Sequence, residues 1–300
     1  MTATVRLIPK LDIKGPNLIK GLQFEGNRVL GTAWDFAEAY YKDGADELIF
    51  QDVVASLYQR NSLVDIVRTT ASNIFIPLTV AGGIRSVDDM RELLRAGADK
   101  IAINTAAVEN PALISEGAKV FGSQCIVASL EVFNSGGRYQ IWVDYGRQVT
   151  DRDALEWARE VVDRGAGEIL LTSINQDGMG KGFDLRLVER IASLVSVPVI
   201  ACGGAGSSAD LLKVIQAGAD AVSASSILHY KYMKPVKTTT MRYAEKRLRM
   251  GEQIDSGNSE FLAEGYGNDR TITVTPTSIP EAKKFLKASG VSVRMSQEVS

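Results

Sequence analysis

The chain contains itself twice. RAGADKIAINTAAV (Arg95 to Val108) returns as QAGADAVSASSILH (Gln216 to His229), IPLTVAGGI (Ile76 to Ile84) returns as VPVIACGGAG (Val197 to Gly206), and DGADELIFQD (Asp43 to Asp52) returns as RGAGEILLTS (Arg164 to Ser173). The offset is about 121 residues each time, and a constant offset over three separated segments marks an internal repeat. Each copy alternates β-branched apolar runs with amphipathic helical stretches, so two copies supply about eight βα units. The predicted fold is an α/β protein, a (βα)8 TIM barrel built from two half-barrel repeats, in which functional groups gather on the loops after the strands.

A chain of 300 residues with 45% hydrophobic and 23% charged residues has enough apolar material for one large core, so residues 1–300 read as a single soluble domain. The net charge of −2 gives no electrostatic reason to expect nucleic acid or an anionic membrane as partner. No uninterrupted apolar stretch of about 20 residues exists for a membrane span, and the opening MTATVRLIPKLDIKG lacks the apolar run of a signal peptide. Cys125 and Cys202 fall in predicted core strands of opposite halves, outside any metal-ligand spacing, so a reducing cytoplasm is the expected setting.

Buried parallel strands are predicted at Arg6 to Asp12, Glu47 to Asp52, Ile76 to Val80, Lys100 to Asn104, Cys125 to Glu131, Glu168 to Thr172, Val197 to Ala201 and Ala221 to Ser225. Helices between them carry their own start and stop signals, as in SVDDMRELLRAG (Ser86 to Gly97), which opens on a serine cap and closes on glycine. Asp151 to Gly165, Ser207 to Gly218 and Ser278 to Gly290 have the same form. Two segments are irregular. Lys14 to Gly31, after the first strand, reads as a long glycine-bearing loop, whereas its counterpart Asn134 to Val149 reads as a hairpin, because NSGGRY is a turn followed by the β-rich IWVDYG. The other is an insertion over residues 230–280, between the eighth strand and the closing helix, whose roughly forty polar and basic residues exceed an ordinary barrel connection.

Asp12 and Glu131 end the first and fifth predicted strands, which the half-barrel repeat places opposite each other across the mouth. Two carboxylates facing one cavity suit general acid and base work, since differing environments separate their pKa values; capping a following turn is the plainer alternative. Asp52 and Asp177 are weaker candidates of the same kind. The glycine pairs carry more. AGGI (Ala81 to Ile84) and CGGAG (Cys202 to Gly206) follow strands three and seven, and INTAA (Ile103 to Ala107) and SASSI (Ser223 to Ile227) follow strands four and eight. Backbone amides freed by glycine, with hydroxyls at a helix start, form an anion cradle, and two cradles on opposite rims imply a ligand with phosphates at both ends. Tight strand-to-helix turns alone explain one pair but poorly explain four matched segments. The single histidine, His229, has no nucleophile partner in the sequence and reads as a packed or rim residue, so neither a catalytic triad nor a metal site is expected, and no cofactor.

LDIKGPNLIKG, DELIFQDVVAS, GGIRSVDDMRELLRAGADKIAINTAAVENP, FGSQCIV, RGAGEILLTSINQDGMGKGFD and GGAGSSADLLKVIQAGADAVSASSILH closely resemble the cyclase subunit of imidazole glycerol phosphate synthase, a histidine-biosynthesis enzyme. The resemblance implies an enzyme that takes ammonia from a partner glutaminase and adds it to a bisphosphorylated aminoimidazole carboxamide ribonucleotide. The products would be imidazole glycerol phosphate and the aminoimidazole carboxamide ribotide. It further implies that Asp12 acts as general base or acid in imine formation and ring closure, with Glu131 as its complement. Gly83, Asn104 and Thr105 would hold one phosphate, Asp177, Gly178, Gly204, Ser225 and Ser226 the other, and Lys20 would help the first loop close over substrate. Arg6, Glu47, Lys100 and Glu168, at the starts of strands one, two, four and six, match the family's charged ring through which ammonia enters. Asp99, beside it, would face the glutaminase.

Three departures from the family stand out. Glu131 replaces an aspartate, Lys10 stands two residues before Asp12 on the same strand face where the family usually has a small or apolar residue, and residues 230–280 are extra. A buried lysine beside Asp12 would lower its pKa and weaken it as a base. These features resemble diverged members associated with surface-polysaccharide pathways, in which the protein would conduct ammonia from a glutaminase to a sugar amidotransferase. A phosphoribosyl isomerase of the related half-barrel family shares the cradles but has no need of the charged ring.

Overall fold

The computed structural model describes residues 4–54, 63–233 and 274–295. In chain order its strands are β1 (Arg6–Lys14), β2 (Asn17–Leu22), β3 (Glu25–Thr32), β4 (Leu48–Asp52), β5 (Leu78–Ala81), β6 (Lys100–Ile103), β7 (Ile126–Ser135), β8 (Arg138–Val143), β9 (Gln148–Asp153), β10 (Glu168–Ser173), β11 (Val199–Cys202) and β12 (Ala221–Ala224). Strands β1, β4, β5, β6, β7, β10, β11 and β12 are each paired in parallel with the next, and β12 returns to β1. This is the closed eight-stranded barrel that the repeat predicts. The helices are α1 (Ala33–Lys42), α2 (Val64–Ala71), α3 (Val87–Ala96), α4 (Thr105–Glu109), α5 (Ala112–Phe121), α6 (Ala154–Asp163), α7 (Leu185–Ala192), α8 (Ser208–Gln216), α9 (Ser226–Tyr232) and α10 (Ile279–Ala288). Ser86 and Ser278 each close a reciprocal capping box with the third helical residue, Asp89 and Glu281, satisfying amides that a helix start leaves free. Residues 234–273 of the predicted insertion lie outside the described residues. Among those described, no helix is long and apolar enough to cross a membrane.

Period-two alternation sorts the barrel interior into layers. On β1, Arg6 joins the lowest layer, Ile8 the middle one, and Lys10 and Asp12 the mouth. The middle layer is apolar, a cluster of Ile8, Ile49, Ala81, Ala102, Val127, Leu170, Ile200, Cys202 and Ala221. Below it Arg6 bonds Glu47 and Glu168 at 2.7 and 2.9 Å, and Lys100 bonds the same two glutamates at 2.9 Å each, closing a ring of alternating charge. A larger core between barrel and helices includes Trp157, Tyr40, Phe50 and Leu48, all buried.

The repeat extends to finer detail than the half. In Gly-Ala-Asp at Asp46, Asp99 and Asp220, the backbone amide donates to the carbonyl of Leu7, Leu78 and Val199, while the carboxylate accepts the amide of the same residue at 2.9, 2.8 and 2.9 Å. In the fourth copy Gly167 donates to the Ile126 carbonyl, and a Cβ there would lie 2.2 Å from the Ser123 carbonyl oxygen, which excludes the aspartate. The Asp99 carboxylate, exposed on its outer side, is therefore an anchor for the start of β5.

Two expectations need correction. Lys14 to Gly31 is not an irregular loop: β2 pairs antiparallel with the end of β1, and β3 pairs with β2. It thus matches β8 and β9, which extend β7 in the same manner, so both half-barrels carry a β-hairpin on the mouth. Cys125 ends a short 3₁₀ turn ahead of β7 rather than lying within the strand.

Candidate active site

The two hairpins meet over the barrel mouth. At their tips Gln23, Phe24, Asp144 and Tyr145 all have positive φ (50°, 67°, 54° and 55°), a conformation that costs side-chain-bearing residues energy and persists where contacts over-determine it. The contact here is a stack of Phe24 on Tyr145, with ring centroids 4.4 Å apart and planes 21° from parallel. Gln23 adds a backbone bond to the Asp177 carbonyl and a side-chain bond to that of Asn175, both 2.9 Å. Gly178 is required where these segments touch: its φ is +73°, and a Cβ would lie 2.5 Å from the Gly21 carbonyl oxygen.

Under this cover lies a cluster of five charged side chains, each 4% exposed or less: Lys10, Asp12, Lys20, Glu131 and Asp177. Lys10 Nζ donates to Asp12 Oδ1, as the two-residue spacing on β1 predicts. Lys20 Nζ lies 3.5 Å from Asp12 Oδ2 and donates to Asp177 Oδ2 at 2.7 Å. Burial raises the Asp12 pKa, but the two lysines more than offset it and hold the carboxyl below its ordinary range. Glu131 has the opposite fate. Burial pushes it up to about 7, against the downward pull of Lys10 and of the Gly146 amide, which donates to Oε2 at 3.0 Å. Tyr145 is held well above the usual phenol range, first by burial and then by the nearby carboxylates Asp12, Asp177 and Glu131.

Glu131 lines a cavity of about 380 Å³ together with Gly83, Asn104, Thr105, Gln51, Asp52 and Ser129. The three residues of the first predicted cradle are therefore gathered with one of the two predicted acid/base carboxylates. Asn104 Nδ2 donates to the Trp142 carbonyl at 3.0 Å, and Thr105 Oγ1 accepts the Asp144 amide at 3.0 Å, so the second hairpin is tied to this cradle. The residues of the other cradle, Asp177, Gly178, Gly204, Ser225 and Ser226, also come together, with Lys20, Cys202 and Ser223 beside them. Here the space is only about 10 Å³, because Lys20 on the first hairpin reaches into Asp177. Gly204 is needed for the crossing of backbones behind it: with φ +116°, a Cβ would meet the Gly182 carbonyl oxygen at 2.2 Å. The two cradles open with the same backbone shape, φ −119° and ψ −85° at Asn104 against φ −121° and ψ −83° at Ser225.

His229 is fully buried, its Nδ1 2.5 Å from the Tyr40 hydroxyl, and burial depresses its pKa to about 3. It is packed and uncharged, as the lack of a sequence partner suggests. Asp52 lines the larger cavity and accepts the Val54 amide at 2.9 Å. Sequence reasoning missed Phe24 and Tyr145. Their stack joins turns from opposite halves of the chain, and in each turn the reversed φ begins on two residues that carry side chains.

Residues 6–234 match the family model described as "Histidine biosynthesis protein". The chain is 60% identical over 205 residues to imidazole glycerol phosphate synthase subunit HisF of Legionella pneumophila, covering 68% of this chain and 97% of that protein. It is 51% identical over 227 residues to the protein of the same name in Myxococcus xanthus, covering 75% and 90%, and 50% identical over 227 residues to that of Bacillus cereus, again 75% and 90%. With a closed barrel in two halves and a match running from the first strand past the last, the chain belongs to the histidine-biosynthesis family, among the HisF subunits of imidazole glycerol phosphate synthase.

Proposed function

We propose that this chain is the cyclase subunit of an imidazole glycerol phosphate synthase, a lyase of the cytoplasm that uses ammonia supplied by a glutaminase subunit in a heterodimer. The observation that carries this reading is the stacking of three layers on one barrel axis. A ring of two cations and two glutamates stands at the strand starts, an apolar layer lies above it, and paired carboxylates and lysines fill the mouth. Ammonia, uncharged, crosses an apolar layer that opposes an ammonium ion, because burying an unpaired charge is costly. The docked glutaminase would sit on the ring end, near Asp99.

At the mouth, the substrate's phosphates bind the two cradles, one at Gly83, Asn104 and Thr105, the other at Asp177, Gly178, Gly204, Ser225 and Ser226. Ser223 Oγ and Asn104 Oδ1 are buried without a hydrogen-bond partner among the described residues, and each belongs to one of these cavities. A phosphate oxygen in the second cavity accepts from the Ser223 hydroxyl, and a ligand hydroxyl or N–H in the first gives Asn104 Oδ1 its missing donor. Lys20 exchanges Asp177 for phosphate as the first hairpin adjusts, while Asp12 and Glu131 form the acid/base pair of imine formation and ring closure.

The relatives' shared name does not favour the alternative of a diverged ammonia conduit. The deciding experiment is turnover of the bisphosphorylated ribonucleotide with ammonium salts and no glutaminase. Formation of both products is expected; a wild-type chain that binds substrate but releases nothing at saturating ammonium overturns the proposal.

A further inference from the structure

Three strands that open onto the larger mouth cavity pass from the apolar layer to an uncharged polar side chain. On β6, Lys100 belongs to the ring, Ala102 to the apolar layer, and Asn104 stands above them. Leading into and along β4 the same places are taken by Glu47, Ile49 and Gln51, and on β7 Val127 of the apolar layer is followed by Ser129. Alternation by two turns each of these side chains inward, so Gln51, Asn104 and Ser129 are the first polar groups met on their strands beyond the apolar layer. Gln51 also stands in register with Ala81, itself a member of that layer.

Their hydrogen-bonding capacity is unspent. Gln51 and Ser129 are 9% and 4% exposed, line the cavity, and have no side-chain hydrogen-bond partner among the described residues. The Asn104 carboxamide is oriented by Nδ2, which donates to the Trp142 carbonyl at 3.0 Å; that carbonyl can only accept, so Oδ1 is the atom left buried and unpartnered. An amide oxygen and a phosphate oxygen repel each other, since neither has a hydrogen to give. The complement of Asn104 Oδ1 is an N–H or O–H group. Buried polar atoms left in this state are costly until a ligand completes them.

We propose that Gln51 Oε1, Ser129 Oγ and Asn104 Oδ1 receive ammonia as it leaves the apolar layer, each accepting from one of its N–H groups. This rests on the cyclase reading above and adds to it the residues that turn the nucleophile. Ammonia has three N–H donors and one lone pair. While it crosses the apolar layer its donors are unmatched, a cost that the first acceptors beyond the layer relieve. With the N–H groups held toward the wall, the lone pair faces the cavity, which Glu131, Gly83 and Thr105 also line. A nucleophile oriented in this way has less freedom to lose at the moment of attack. The neutrality of the three acceptors matters too, because a carboxylate in their place would favour ammonium, which has no lone pair to offer. The opposite side of the mouth has no such station: Lys10, Asp12, Lys20 and Asp177 are paired with one another, and the space beside Lys20 and Asp177 is about 10 Å³ against about 380 Å³ here.

The test uses the full chain, varying ammonium at saturating bisphosphorylated ribonucleotide and then the reverse. Gln51→Met keeps the length of the side chain and removes its acceptor, and Ser129→Ala removes the hydroxyl. Each is expected to raise the KM for ammonia about fivefold, the worth of one ordinary hydrogen bond, and to leave the KM for the ribonucleotide within about twofold of wild type. Ser129→Thr, which keeps a hydroxyl, should restore the ammonia dependence. Urea midpoints should stay near that of wild type, and since the two positions lie on different strands, either variant carries the test if the other fails to fold. A raised KM for the ribonucleotide with that for ammonia unchanged would assign these groups to the larger substrate and overturn the proposal while leaving the cyclase reading intact. No change in either constant overturns it as well, and so does a shift of both accompanied by a lowered urea midpoint. Absence of wild-type turnover at saturating ammonium removes both the cyclase reading and this one.

Discussion

The floor and the mouth of the barrel are both built from buried or half-buried charge, yet their sums differ. On the floor two cations, Arg6 and Lys100, meet two glutamates, Glu47 and Glu168, and every member bonds two neighbours of opposite sign. In the mouth two lysines, Lys10 and Lys20, meet three carboxylates, Asp12, Asp177 and Glu131. A closed ring with equal numbers needs no proton exchange to be neutral. Glu131 is the carboxylate of this group without a lysine bonded to it, and burial pushes it up to about 7, whereas the two lysines hold Asp12 below its ordinary range. The two levels thus differ in how each carboxylate is partnered before any substrate is considered.

The largest effect expected of breaking this contrast comes from Asp12→Asn. It leaves Lys10 and Lys20 buried beside each other with Asp177 as the only remaining bonded carboxylate, and removing one partner of a buried pair costs about 3–5 kcal/mol. Urea denaturation of the single variant should show that loss. Adding Lys10→Met should recover most of it, because an ion pair replaced as a unit by apolar or neutral groups is often close to neutral in stability. A double variant as unstable as the single one would mean that Asp12 matters through its shape and hydrogen bonds, not its charge.

A second effect is expected in the pH dependence of stability. Glu131 has its pKa raised from 4.5 in the unfolded chain to about 7 in the fold, so between these values the native state binds more protons than the unfolded state. Stability therefore declines as pH rises through that window, by about 3 kcal/mol in all, since each tenfold gain in proton affinity on folding is worth about 1.36 kcal/mol. His229 works in the opposite sense: lowered from 6.5 to about 3, it makes stability fall as pH drops through that range. Comparing wild type with Glu131→Gln at each pH cancels the histidine contribution. The difference curve should favour the variant progressively from pH 4.5 to 7, and a flat difference would place the proton elsewhere in the cluster.

Much of this architecture was legible in the chain. The resemblance to the cyclase family picked out Arg6, Glu47, Lys100 and Glu168 at the strand starts, and the ion pair of Lys10 with Asp12 followed from their spacing. The raised pKa of Glu131 was not legible, because it depends on side chains that four separate segments bring together in one buried cluster. Nor was the narrowness of the second cradle, which results from Lys20 crossing to Asp177, 157 residues away in sequence. The first hairpin escaped notice for a local reason. Its turn, at Gln23 and Phe24, reverses φ without the Asn-Gly or Gly-Gly that ordinarily announces such a turn.

On the floor, Lys100→Met should cost about 1–2 kcal/mol, less than removing Asp12 from the buried charges of the mouth. Lys100 is 16% exposed, and Arg6 still bridges both glutamates after its removal. Its functional effect is expected to exceed its structural one: with the glutaminase present, glutamine hydrolysis should become uncoupled from use of its ammonia, while ammonium-driven turnover stays largely intact. Equal loss of both activities would make the ring a brace for the strand starts instead of a passage.

The smallest effect sharpens the comparison at its upper edge, where the mouth, unlike the floor, is covered. Phe24 and Tyr145 stack from hairpins of opposite half-barrels, and an aromatic pair of this geometry contributes about 0.5–1.5 kcal/mol beyond the area it buries. A double-mutant cycle with Phe24→Leu and Tyr145→Leu isolates that coupling, since each replacement keeps apolar bulk while removing one ring. The reversed φ at all four tip residues gives the contact a further consequence. If the stack is what holds these turns, losing either ring should speed amide hydrogen exchange at both tips by about the same factor, whichever hairpin carries the change. Faster exchange confined to the mutated hairpin would show that each turn is held separately, one by the Gln23 bonds to Asn175 and Asp177 and the other by the Gly146 bond to Glu131, and that the two halves of the cover move independently.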